Sequence, residues 1–323
     1  MNQNTPAHQE ELPPSAITEA QMKAFSGQRL FSLHWEIKVL LYLGVLLLST
    51  GLGILVYENI DTIGHQAVLA FIAILSAGSF FYCYKQSAPF SWNKVESPNP
   101  FFDYILLLGC LTFISFIGYL QFAYTVFGTK YGLATAIPLV VLFFSAYYFD
   151  HLGVLSLAIT NLAAWLGITV TPMRILSDND FSSYRLIATG MGLGIFLLVL
   201  ALISQKKNLK AHFAFTYRNF GAHIFFISCL AAFFIGYNLP LTWFLVLSAF
   251  AAYMWITAYK EKSFYFLLIT LLYEYLGLCT IVIRAFAEIN EIYPSIMFVI
   301  VSAIFLCYYL IQLSKKIKHD RVQ

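Results

Sequence analysis

Charge is what this sequence has least of. Asp, Glu, Lys and Arg make up 11% of its 323 residues, where soluble domains carry about 25%. Nineteen basic and sixteen acidic side chains cannot cover a water-facing surface for a chain of this length. This scarcity excludes a soluble enzyme and a nucleic-acid binder. Cysteine is also sparse. Cys83, Cys110, Cys229, Cys279 and Cys307 form no C-x-x-C pair and are odd in number, so neither a disulfide framework nor a thiolate metal site is indicated. Each lies in an apolar segment and reads as a small buried side chain. Phosphate loops, H-E-x-x-H zinc sites and G-x-S-x-G elbows are all missing. No cofactor or metal is expected.

Apolar residues, by contrast, make up 60% of the chain, with 31 Phe and 21 Tyr among them. They fall in long continuous runs rather than alternating, which favours membrane helices over a closed barrel. Ten spans of about 20 residues are predicted, at 39–57, 67–84, 104–127, 131–149, 152–170, 186–203, 220–237, 241–259, 264–283 and 293–313. The expected fold is all-α, a polytopic transmembrane bundle over 37–313. A segment at 1–36 precedes it, with a short surface helix at 15–25 capped by Ser15, and a basic tail at 314–323 follows it. The acidic, proline-containing start gives no sign of a cleaved signal peptide.

An even number of spans puts both termini on one side, and the basic residues test that arrangement. Fifteen of the nineteen Lys and Arg fall on the terminal side, and Lys130, Arg174, Arg185 and Arg284 fall on the other. Basic residues are retained in the cytoplasm, so both ends are expected there. The connections at 128–130, 150–151, 238–240 and 260–262 are short enough to force antiparallel helical hairpins.

Within the spans, Glu274 is the most informative residue. It stands near the middle of 264–283, and Thr270 and Gly277 share its helix face, a small polar stripe suited to close packing. A carboxylate at the bilayer centre is costly and usually faces the protein interior or a wet cavity. One reading is a proton or cation site, and the other is a protonated acid bonded to a neighbouring helix. Gln121 and Asn161 either line a ligand pocket with Glu274 or cross-link helices. His223 reads as an interfacial side chain rather than a metal ligand, because no second ligand stands at metal spacing.

Gly190, Gly192 and Gly194 imitate part of a dinucleotide fingerprint, but they open a membrane helix. Gly190 and Gly194 instead form a GxxxG pair for close helix approach, the role also given to Gly277. Lys206, Lys207, Lys210 and Arg218, set among aromatic residues, and the tail residues Lys315, Lys316 and Lys318 are expected to contact anionic lipid headgroups. The partners expected are therefore the bilayer itself and an unidentified membrane protein, not nucleic acid.

The first half also carries His34-Trp35-Glu36, Leu41-Tyr42-Leu43-Gly44, Gly51-Leu52-Gly53-Ile54, Asn59-Ile60-Asp61 and Ala163-Ala164-Trp165-Leu166-Gly167. In these it resembles the predicted bacterial membrane proteins grouped as domain of unknown function 2157, over about Ile17 to Val170. Members often show a Gln and a Tyr two apart near the end of a later span, whereas Gln121 and Tyr124 here are three apart. The resemblance implies a bacterial inner-membrane protein and brings no activity with it. Three functional classes follow from the residues. A transport-like or small-ligand bundle centred on Glu274 leads, a non-catalytic scaffold or partner subunit comes second, and a membrane enzyme using Asn59, Asp61 and His65 comes third.

Overall fold

The computed structural model describes residues 33–170, 183–235, 240–288 and 292–322. The expected helix at 15–25 and the Asp178-Asn179-Asp180 loop lie outside them, and the side chains of Asn59 and Asp61 are likewise outside the described set. Among the described residues there are ten helices and no strand. They are α1 (Leu33–Ile63), α2 (His65–Gln86), α3 (Pro100–Tyr124), α4 (Tyr131–Tyr148), α5 (Leu152–Val170), α6 (Tyr184–Lys207), α7 (Phe213–Phe234), α8 (Pro240–Lys260), α9 (Phe264–Glu288) and α10 (Ile292–Val322). Each predicted span overlaps one of these helices, although 125–127 fall in the turn after α3 and 236–237 lie outside the described residues. Among the described residues, eight helices, α2 to α6 and α8 to α10, are long and apolar enough to cross a bilayer.

In α1 the described side chains include the apolar stretch Val39–Leu55. Helix α7 carries Arg218, Asn219 and His223 in its first half, which lowers its hydropathy although the rest is apolar. Helix α10 does not stop at the predicted end of its span but continues through the basic tail to Val322.

The chain divides into two units, Met1–Tyr57 and Glu58–Gln323. In the first, the described side chains of α1 are mostly exposed and apolar. In the second, helices adjacent in sequence pack as antiparallel pairs, α2 with α3, α4 with α5, α6 with α7 and α8 with α9. Two cores result. One joins α2 to α7 around Leu106, Leu142, Leu155, Ile159, Leu197 and Phe213. The other joins α6 to α10 around Phe226, Leu247, Met254, Phe266 and Leu267. Helices α6 and α7 contribute to both and so form the seam between them.

That seam is where backbones come closest. A Cβ on Gly194 would stand 2.8 Å from Phe225 Cβ and 2.9 Å from the carbonyl oxygen of Gly221, and one on Gly221 would stand 2.9 Å from the Gly194 carbonyl. A Cβ on Gly190 would collide with Ser228, whereas one on Gly192, on another face, would meet nothing within 4 Å. Two chains meeting backbone to backbone gain dispersion contacts that no larger residue permits, the device by which membrane helices associate without a hydrophobic driving force.

Candidate functional site

Glu274 sits on the face of α9 that meets α8. One turn before it, Thr270 Oγ1 donates to the Phe266 carbonyl at 2.7 Å and is buried. One turn after it, a Cβ on Gly277 would run into Leu247 and come within 3.4 Å of Phe244. The small residues thus bring α8 close enough for Ser248 Oγ to donate to Glu274 Oε1 at 2.5 Å. Glu274 Oε2 is buried and has no hydrogen-bond partner among the described residues. A carboxyl group half satisfied in this way has unspent bonding capacity whether ionised or protonated.

The other expected pocket residues do not converge on Glu274. Asn161 Nδ2 donates to the Thr135 carbonyl at 2.8 Å, joining α5 to α4. The acceptor lies in the turn before Pro138. Gln121 clamps the turn that follows its own helix. Its Oε1 accepts from the Phe127 N–H at 2.9 Å, and its Nε2 donates to the Gly128 carbonyl at 3.0 Å. Both ends of the amide are therefore engaged in holding the turn after α3. His223 of α7 is bonded to two tyrosines of α9, Tyr273 at 2.8 Å and Tyr265 at 3.2 Å. Tyr265 Oη in turn donates to Asn219 Oδ1 at 2.6 Å.

The densest polar constellation is elsewhere, where the 87–99 loop, the 149–151 turn and the 208–212 loop meet. Asp150 Oδ1 is 3.1 Å from Lys210 Nζ and 2.7 Å from His212 Nε2, and Asp150 Oδ2 accepts the Val95 N–H at 2.5 Å. The Asp150 and Lys210 side chains are 1% and 0% exposed. Asp150 and Lys210 both adopt left-handed backbone, with φ of 58° and 51°. Aspartate tolerates that region better than most residues. Lys210 is held there by its N–H donating to the Trp92 carbonyl at 2.9 Å and by Ser204 Oγ donating to its carbonyl at 3.0 Å. Beside this group, His151 Nδ1 accepts the Val154 N–H at 3.0 Å and so caps α5. A Cβ on Gly153 would stand 2.8 Å from that imidazole, so the cap requires glycine there. His151 Nε2 faces Asp103 Oδ1 at 3.7 Å, and Ser97 Oγ donates to the same oxygen at 2.5 Å.

This junction corrects part of the headgroup assignment. Lys210 is fully buried against Asp150 and the Phe90 ring, because the loop folds it inward to neutralise a carboxylate. Arg218 is buried as well, paired with Glu261 and donating to Gln205 Oε1 at 3.0 Å. Both cations have their charges spent inside the protein and do not face headgroups. Lys206, Lys207, Lys315, Lys316 and Lys318 are exposed, with Lys316 Nζ lying over the Tyr259 ring. The pattern that hid the junction was its brevity. Asp150 and His151 stand in the three-residue turn between α4 and α5, and Lys210 stands in a run that reads equally well as basic surface.

Among the described residues no group of three or more His, Cys, Asp or Glu side chains is placed to hold a metal ion. The carboxylates of the junction are instead saturated by Lys210, His212, Ser97 and a backbone N–H.

The helices described are those of a membrane protein with several apolar spans, and part of the first half matches a family model. Residues 14–155 match the model of the family described as predicted membrane protein, DUF2157. The DUF2157 match takes in α1 to α4 and ends at the start of α5, sooner than the resemblance over Ile17–Val170 suggested. Asp103, Gln121, Asp150 and His151 fall inside it, whereas Lys210, His212 and Glu274 lie beyond it. No curated protein and no solved structure matches the chain.

Proposed function

We propose that the protein is a transport-like or ion-handling membrane bundle in which Glu274 takes up and releases a proton or small cation at the contact of α7, α8 and α9. The observation that carries this reading is the buried, unpartnered Oε2 of Glu274 beside an Oε1 already bonded to Ser248. An acid in the bilayer that served packing alone would be expected to spend both oxygens on its neighbours, as Gln121 spends both ends of its amide. The proposal drops Asn161 and Gln121 from the site, because Asn161 is committed to the Thr135 carbonyl of α4 and Gln121 to the turn after α3. We also place the termini in the cytoplasm of a bacterium, on the partition of the basic residues, with α1 and α7 crossing the membrane in addition to the other eight.

The test uses the full chain in proteoliposomes. The wild type is expected to show an infrared carbonyl band from a protonated acid that responds to pH, and to dissipate an imposed proton, sodium or potassium gradient. Glu274→Gln is expected to lose both, with helicity and monodispersity retained. Indistinguishable behaviour of the two proteins in both assays refutes the proposal.

A second reading, a scaffold or partner subunit, draws on α10. Only 6% of its most apolar window is buried, and Met297, Val301, Ile304, Phe305 and Tyr308 are all exposed. Co-purification of a stoichiometric membrane partner that is lost when α10 is made polar at these positions would favour that reading.

A further inference from the structure

A groove on the bilayer-facing side of α2, α3 and α4 is shaped for a lipid chain. It encloses about 450 Å³ and is walled by Phe80, Phe113, Phe116, Val141 and Phe144, with Ala73 and Ala77 leaving room on the α2 side. Its only polar lining apart from the Tyr84 side chain is Ser76 and Ser145, and both are buried. Ser76 Oγ already donates to the Gly109 carbonyl at 3.1 Å. The groove therefore has little to offer a polar ligand and suits a hydrocarbon.

One end of the groove is different. Tyr84 lines it and stacks on Tyr148 at 6.4 Å between ring centres, and Tyr148 stacks on Phe144 at 5.6 Å, an aromatic rim of the kind found at headgroup depth. The next residue, Lys85, is exposed at the last turn of α2, with its ammonium 5.8 Å from the centre of the Phe81 ring. The nearby acids do not compete for it. Asp150 is buried against Lys210 and His212, and Asp103 is bonded by Ser97. In the loop beyond, exposed Lys94 and Glu96 offset each other, so the uncompensated charge at this end is positive.

We propose that this groove holds one acyl chain of an anionic phospholipid, with the headgroup phosphate against Lys85. The apolar walls recognise the chain and Lys85 recognises the charge. A single lysine at a membrane surface accounts for about a fivefold preference for an anionic headgroup.

The experiment titrates the purified full chain in detergent with dioleoyl phosphatidylglycerol and, separately, with dioleoyl phosphatidylcholine, and counts bound lipid by native mass spectrometry. The wild type is expected to retain one phosphatidylglycerol with about fivefold preference over phosphatidylcholine. Ala77→Phe fills the groove and is expected to weaken both lipids by tenfold or more. Lys85→Gln is expected to leave phosphatidylcholine unchanged and abolish the preference. Inorganic phosphate added in excess is expected not to displace the lipid. Unchanged binding by Ala77→Phe, an intact preference in Lys85→Gln, or displacement by phosphate alone overturns the proposal. Should Ala77→Phe fail to fold, Ala73→Leu carries the same test, and Ile74→Phe, at an exposed position outside the groove, is the control that must bind as the wild type does.

Discussion

Replacing Asp150 with alanine removes the one carboxylate on which three loops depend. Lys210 is left with a fully buried ammonium and no counter-charge, His212 loses its 2.7 Å contact, and the Val95 N–H loses its acceptor. Breaking a buried ion pair from one side costs about 3–5 kcal/mol, most of it the penalty on the stranded charge. Replacing Lys210 with methionine is gentler, because Asp150 keeps both His212 and the Val95 N–H and the methionine stem fills similar space. About 1–3 kcal/mol is expected there, the order of one lost charge-assisted bond. In the double variant the stranded ammonium is gone, so the cost falls well below the sum, by about 2 kcal/mol or more, within the range seen for residues in one network. The assay is reversible unfolding in mixed micelles, followed by helicity as the fraction of denaturing detergent rises. A cost below about 1 kcal/mol for Asp150→Ala, or additivity within about 0.5 kcal/mol, refutes the assignment of Asp150 and Lys210 as a coupled buried pair.

Three further outcomes follow from the packing. Gly194→Ala is expected to cost about 1–3 kcal/mol, because its Cβ meets backbone of α7 that cannot move aside, whereas Gly192→Ala, with open space around it, is expected to be neutral or slightly stabilising. The same unfolding assay separates the two, and equal effects would remove α6 and α7 from the role of seam. Gln121→Leu forfeits two hydrogen bonds to the 125–130 turn and is expected to cost roughly 1–3 kcal/mol, with faster amide exchange confined to that turn. Unchanged exchange there would mean that the clamp is dispensable. His151→Ala loses the cap on α5 at a cost of about 1 kcal/mol, and His151→Asn, which restores a capping oxygen, is expected to recover part of it. Failure of asparagine to rescue would point to the neighbouring Asp103 contact instead.

How much of this was legible beforehand depends on the range of the interaction. Continuous apolar runs fixed the helices, since a chain without water to bond its backbone has few alternatives, and the short connections at 150–151 and 260–262 fixed which neighbours pair. The stripe Thr270, Glu274, Gly277 could be placed on one helix face from spacing alone, because positions three and four apart share a face. The partner, Ser248, could not, since it arrives from another helix. Nor could the fates of Asn161 and Gln121 be read. An amide inside a span carries the same letters whether it lines a cavity or holds a turn, and only the positions of Thr135, Phe127 and Gly128 decided between them.

The sequence by itself determined the solvent, the class of fold and the helix count, because these are set by local properties of each segment, its length, polarity and periodicity. The tertiary structure decided where the charges go. Lys206, Lys207 and Lys210 lie close together in the chain and look alike on paper, yet two remain exposed and the third is buried against an aspartate sixty residues away. That difference comes from the left-handed turn at Lys210 and the arrival of Asp150 from the α4–α5 hairpin. Coulomb attraction in a low-dielectric interior is strong enough to dictate such a placement once the backbones are near, but it leaves no periodic mark in the sequence.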